Sequence, residues 1–450
     1  MRAPVRQGIA PAYLFACLLL GGSGQGVWGP LLLQLAGVVL LGWSFWSAPP
    51  RPLGASARRL GWLMGAAVLL VLVQLLPLPP VLWTSLPGRA AAVENFRLLG
   101  EPLPWLPLSL TPYDGLSSAL GLIPPLALLA AILRLGAYRT SWLGIAIGAG
   151  AVLNILLGAL QISTGRYYLF PFSTVGSAAG FFANGNYLGT LLLAAIPFLA
   201  ALTAHGLRER RSHRKRVGSL GLALGPLLVL VMGLVISKSM AALLLTVPVA
   251  LASALLLIKP ERGRWKIVGG LSLACMAIGL VAYAWLPAIN DPNNAMSTGI
   301  RAHLYAKTAA TAWQLFPVGS GLGSFPRVYA LYEDPGVFFG AMVNHAHDDY
   351  LEIALEGGLP GVLILLGFLW WWLKRLVAIW RSPASTPFER AATIAAATIL
   401  AHSLVDFPAR TMAIAAVLAT AVALMAEPRE WRRAEGATAE RRKARHVSLG

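Results

Sequence analysis

The sequence predicts an all-α polytopic membrane protein with about twelve spanning helices and one large, partly helical loop between spans nine and ten. Three observations predict it. Hydrophobic residues make up 57% of the 450 residues and charged residues only 12%. Ordinary soluble domains have about 45–50% and about 25%. Apolar runs of spanning length recur along the chain, and the segments joining them alternate between basic-rich and basic-poor.

The spans fall at about 8–24, 28–47, 60–78, 116–134, 140–162, 186–204, 218–236, 240–258, 267–286, 359–380, 390–406 and 411–426. The first follows Arg2 and Arg6 as a signal peptide would. Gly21-Gly22-Ser23-Gly24 makes a poor cleavage site, so it is read as a helix. The chain thus divides into spans one to nine over 1–286, with loops at 79–115 and 163–185. A large loop over 287–358, spans ten to twelve over 359–426 and a basic tail over 427–450 complete it.

With the N-terminus inside, the inner segments hold 28 of the 36 Lys and Arg and 7 of the 18 acids, a balance of +21. The outer segments hold 8 and 11, a balance of −3. The asymmetry places both termini on the inner, cytoplasmic side. It also explains the formal charge of +18 without nucleic acid. The basic run 208–216 is an inner-face anchor beside anionic membrane lipids. Cys17 and Cys275 lie in apolar runs and suggest neither a disulfide framework nor a structural zinc site. No P-loop, dinucleotide fingerprint, zinc-finger spacing or fixed-period repeat is present.

Chemistry-bearing residues concentrate in 287–358. A helix is expected over Thr298 to Phe316, with Ile300, Leu304, Trp313 and Phe316 on an apolar side. Arg301, Tyr305 and Thr308 share another face, and Pro317 ends the helix. Gly319-Ser320-Gly321-Leu322-Gly323 follows, and reads either as a loop whose backbone approaches a phosphate or as a tight turn. Asp348 or Asp349 is placed to cap a helix running to Glu356, ended by Gly357 or Gly358, with Pro360 opening span ten. His345 and His347 then stand at a helix N-terminus. That end attracts anions and favours a neutral, basic histidine. The same His-x-His beside two aspartates also reads as a metal site, or as plain interfacial polar residues.

Smaller outer features join them. Ser237-Lys238-Ser239 turns between spans seven and eight, and its cation runs against the topology rule. It reads as a functional group or as a snorkelling lysine. Asn184-Gly185-Asn186 opens span six, to bind hydroxyls or to cap the helix. His402, Asp406 and Arg410 lie at the outer end of span eleven, where Asp406 and Arg410 suggest a structural pair.

His347-Asp348, nine residues, Gly358, two residues and Gly361 together resemble the signature of the O-antigen ligase family. That signature is a His, then Asn, Ser or Gln, nine residues and Gly-x-x-Gly in a large periplasmic loop. Arg301 at the start of a loop helix, Pro317 and Gly319-x-Gly321-x-Gly323 fit as well. So do Phe182-x-Asn184-x-Asn186 before a span and His402-Ser403-Leu404-Val405-Asp406-Phe407 near the end. The resemblance covers most of the chain and is strongest over 298–361.

The resemblance implies a GT-C-like membrane fold in the bacterial inner membrane. It implies transfer of a glycan from an undecaprenyl-diphosphate carrier to a glycan, lipid or protein acceptor on the periplasmic side. It implies an essential loop histidine, here His347, two cations on the diphosphate, and no metal, nucleotide or other cofactor. Arg301 matches one cation. Lys238 stands where the second is usually arginine, and Asp348 replaces the usual amide or hydroxyl. Arg327 is a reserve cation; Ser237, Ser239, Asn184, Asn186, His345, Asp348 and Glu356 are further candidates to contact the diphosphate or glycan. Anomeric displacement with inversion would follow. The departures favour a surface-polysaccharide polymerase or general exopolysaccharide role over lipid-core ligation. Protein O-glycosylation is an alternative within the family. A solute transporter is the alternative outside it, but span centres carry few charges and no half-repeat is convincing.

Overall fold

The computed structural model describes residues 3–23, 28–47, 52–209, 213–257, 292–333 and 343–426, with a few positions between 270 and 278. Most of expected span nine and all of the basic tail lie outside the described residues. Among those described, six helices are long and apolar enough to cross a membrane. They are Trp28–Trp46, Ala55–Leu75, Pro112–Leu133, Thr140–Thr164, Gly185–Leu207 and Asp349–Arg381. Shorter apolar helices occupy Arg6–Leu20, Gly225–Ser237, Met240–Ala254 and Met412–Ala426. This is a multi-pass membrane protein.

The helix opened by Gly185 is the hub. Its apolar stretch is 83% buried, whereas that of Trp28–Trp46 is 22% buried. Around it pack Thr140–Thr164, His213–Ser237, Met240–Ala254 and Pro387–His402. Close approach relies on small residues, as it must where lipid supplies no hydrophobic drive between helices. A Cβ on Gly189 would stand 2.7 Å from the Ala242 Cβ. Leu32, Val39 and Trp46 on the peripheral helix are exposed and suit a hydrocarbon surround.

The 79–115 segment is more ordered than a loop. Pro77–Leu78 pairs antiparallel with Leu106–Pro107, and helices Pro80–Trp83 and Ala90–Leu99 lie between. Beyond the membrane helices, Leu304, Leu315, Phe325, Val328, Tyr329, Ala346 and Leu355 form a separate small core. It joins helix Pro292–Gln314, helix Phe325–Tyr332 and the start of Asp349–Arg381. The first of these begins before the expected Thr298.

Asp349–Arg381 is broken at Gly358, where φ is 57° and ψ −152°. Leu359 N–H turns away to donate to Pro317 O at 2.8 Å. The glycine-rich loop docks into this break. Ser320 and Gly321 N–H donate to Leu355 O and Glu356 O, each at 2.9 Å. Leu322 N–H donates to the Gln74 side chain at 3.0 Å, and that side chain donates to Glu356 O at 2.9 Å. Of the two readings of the loop, the structure supports the turn: these amides satisfy helix carbonyls. Gly319 and Gly358 are in contact, and a Cβ on Gly358 would run into Pro317 O. The predicted outcome for Gly358→Ala is a clear fall in thermal stability in detergent, of about 1–3 kcal/mol or more. An unchanged melting temperature would contradict this account of the break.

Candidate active site

The site is built where the first turns of the Gly185 and Asp349 helices meet the loop after His402. Asp348 caps the latter helix, its Oδ1 accepting Tyr350 N–H at 2.8 Å and Leu351 N–H at 3.0 Å. The cap fixes the chain immediately after His347. Burial raises the Asp348 carboxyl above its ordinary range, partly offset by those two amides.

His347 adopts φ 54°. A non-glycine residue in this region is costly and is held only by its surroundings. Tyr305 supplies part of the restraint, its hydroxyl donating to His347 O at 3.0 Å. Burial pushes that phenol up to about 12, so it stays a donor. The His347 Nδ1 lies 3.2 Å from Asp406 Oδ1. Phe407 meets the ring edge-on at 4.9 Å.

Helix Pro387–His402 ends four residues before Asp406, so this acid, expected as the last residue of span eleven at 390–406, lies instead in the loop after the helix. Asn186 Nδ2 donates to its Oδ2 at 2.5 Å, and Phe407 N–H donates to its Oδ1 at 2.9 Å. Burial alone would raise the Asp406 carboxyl. The His347 hydrogen bond and the nearby His347, His402 and Arg301 outweigh it and hold the group well below the usual carboxylate range. Asp406 is therefore ionised. A bond to an ionised acceptor places the histidine proton on Nδ1 and leaves Nε2 as the basic nitrogen. Arg301 stands on the same helix as Tyr305, one turn earlier, close enough to act electrostatically on Asp406 and Tyr305.

The expected Asp406–Arg410 pair is not formed. Instead Arg410 meets Glu352 and Glu356 at 3.0 Å each and Asp349 at 3.3 Å. Those acids are spaced for one helix face. Glu352 also holds His345 Nδ1 at 2.8 Å and accepts Ala346 N–H at 2.9 Å. Ser403 Oγ donates to Asp349 at 2.7 Å. The two histidines thus serve different carboxylates, and Phe407 lies against both rings, 4.1 Å from His345. Among the described residues, no group of three or more His, Cys, Asp or Glu is arranged to hold a metal ion.

The other expected contacts divide. Lys238 is exposed, adopts φ 55° and caps the turn between two buried serines. Ser237 O lies against Gly185, so this turn sits beside Asn184 and Asn186. Ser237 and Ser239 are engaged locally, Ser237 with Leu234 O at 2.8 Å and Ser239 as an N-cap. Asn184 likewise holds Asn186 N–H at 2.9 Å. Glu356 is occupied by Arg410 and by Phe325 N–H at 3.2 Å. Arg327 pairs with Asp114 at 2.6 Å. His347, Asn186 and Arg301 thus gather around Asp406, with the Lys238 turn beside Asn186.

Residues 225–366 match the family described as O-antigen ligase. The resemblance noted in the sequence is thereby shown over that stretch. It is a little under a third of the chain and contains Lys238, Arg301, His345 and His347. No curated protein matches the chain. The match supports an O-antigen ligase or polymerase type of function and a glycosyltransferase-like enzyme with glycan and lipid-linked partners. Asn186 and Asp406 lie outside the matched residues.

Sequence reasoning missed Glu352 altogether and gave Asp406 the wrong partner. The spacing of Asp349, Glu352 and Glu356 was an available signal for a shared counter-ion. Arg410→Met is predicted to leave three buried carboxylates without their cation and to cost about 3–5 kcal/mol of stability. Thermal unfolding in detergent measures this; an unchanged midpoint would contradict the arrangement.

Proposed function

We propose that the chain transfers a glycan from an undecaprenyl-diphosphate carrier to an acceptor hydroxyl on the periplasmic face of the bacterial inner membrane. The observation that carries this reading is the His347–Asp406 pair beside Arg301. A sugar hydroxyl is a weak nucleophile. His347 Nε2 takes its proton as the hydroxyl oxygen attacks the anomeric carbon. The carbon–oxygen bond to the diphosphate breaks on the opposite side, giving inversion. The bond electrons leave on the lipid diphosphate.

The leaving group carries at least two negative charges. Arg301 and the exposed Lys238 are the cations proposed to hold it. Lysine does so as a point charge, without the bidentate fork of arginine. The donor is already activated, so the reading calls for no nucleotide. It calls for no metal because cationic side chains neutralise the diphosphate. Lys238 and Asp348 favour a surface-polysaccharide polymerase over a lipid-core ligase, with protein O-glycosylation as the alternative acceptor chemistry.

In a deletion strain, wild type should restore long glycan. His347→Ala should lower transfer at least about 10²–10⁴-fold with protein still in the membrane. Accumulated single lipid-linked repeats would identify a polymerase, and accumulated long lipid-linked chains a ligase. Normal glycan with His347→Ala would overturn the proposal. Lys238→Ala should raise KM for the lipid-linked donor, with Lys238→Arg retaining affinity.

A further inference from the structure

The helix carrying Arg301 and Tyr305 has a second feature, which the site does not use. Trp313 and Phe316 were expected to join Leu304 on an apolar side. Leu304 is buried, but Trp313 is 77% exposed and Phe316 44% exposed. Helix geometry gives the reason. At about 100° per residue, nine residues from Leu304 bring Trp313 about 180° round the helix. The two rings stack on each other at 5.7 Å and 17° between planes. Their partners are thus one another, and their outer faces remain open. Two adjacent open aromatic rings on a polar helix mark a binding surface more than a core.

Their position relates them to the site. Arg301, Tyr305, Ala309 and Trp313 follow one another at intervals of four, along a single ridge of the helix. Tyr305 holds His347 at one end of that ridge, and Trp313 lies about 12 Å further along. Between them the exposed surface consists of Ala306, Ala309 and Ala310, which project little. Pro317 and Gly319 then anchor the end of the helix to the Gly358 break, so the platform is held rigidly relative to His347.

We infer that Trp313 and Phe316 form a carbohydrate-binding platform that holds the glycan chain some sugar units away from the reacting end. A pyranose ring presents an apolar C–H face that packs flat on an aromatic ring. Such a contact tolerates different sugars, which suits a surface that bears a chain and leaves the chemistry to His347. The inference rests on the proposed glycan transfer for its ligand, but its test is independent of turnover.

Surface polysaccharide from the producing cells, freed of lipid by mild acid, is separated into single-repeat and multi-repeat fractions. Binding to the full-length protein in detergent is measured alongside transfer from the lipid-linked donor. Wild type is expected to bind multi-repeat chains. Trp313→Ala and Phe316→Ala should each weaken that binding about tenfold, or about 1.4 kcal/mol. Binding of single repeats should be unchanged, and Trp313→Tyr should retain affinity. No binding by wild type, or equal binding by the alanine variants, would overturn the inference. So would quenching of wild-type fluorescence by brominated lipid that Trp313→Phe removes, because the ring would then sit in the membrane. Chain binding that depends on Trp313, without any transfer, would sustain the platform and refute the proposed reaction.

Discussion

The buried carboxylate of Asp406 joins three distant parts of the chain. Asn186 brings the first turn of the hub helix, His347 brings the segment before the broken helix, and the Phe407 amide fixes the loop itself. An ionised group at such depth is tolerated only when its oxygens are satisfied. Here both oxygens have partners, so the requirements of the charge specify the geometry of the site. The same bond that stabilises Asp406 sets the tautomer of His347.

A second buried cluster keeps that junction in place. Asp349, Glu352 and Glu356 lie on the first turns of one helix, and Arg410 reaches them from the loop after His402. Removing Arg410 would leave the charges uncompensated, although exchanging the whole cluster for apolar groups would cost less. The cluster locks the loop bearing Asp406 to the helix that follows His347. The glycine-rich loop closes the break at Gly358 in the same helix, so the segment after His347 is held both by Arg410 and by that loop.

Much of this was legible in the sequence. Length and hydropathy of the apolar runs gave a multi-pass helical protein. Motif spacing singled out His347 and Arg301, and the misplaced positive charge singled out Lys238. Among the described residues, only Tyr167, Lys238 and His347 are non-glycines with positive φ. Asp406 was read incorrectly because its spacing from Arg410 suggests one helix turn, whereas the helix ends at His402. Its side-chain partners His347 and Asn186 are 59 and 220 residues away in sequence, which periodicity does not reveal. The glycine-rich loop was ambiguous for another reason. Glycine confers freedom of backbone, and only the structure shows where that freedom is used. Trp313 was misassigned because residue type outweighed angle on the helix.

The central claim is that His347 and Asp406 act as one unit. A double-mutant cycle tests it most directly, using His347→Ala, Asp406→Asn and both together, with glycan transfer as the readout. The account predicts strong non-additivity: the double variant should be no slower than His347→Ala alone. Losses that multiply would show two independent contributions and would contradict the account.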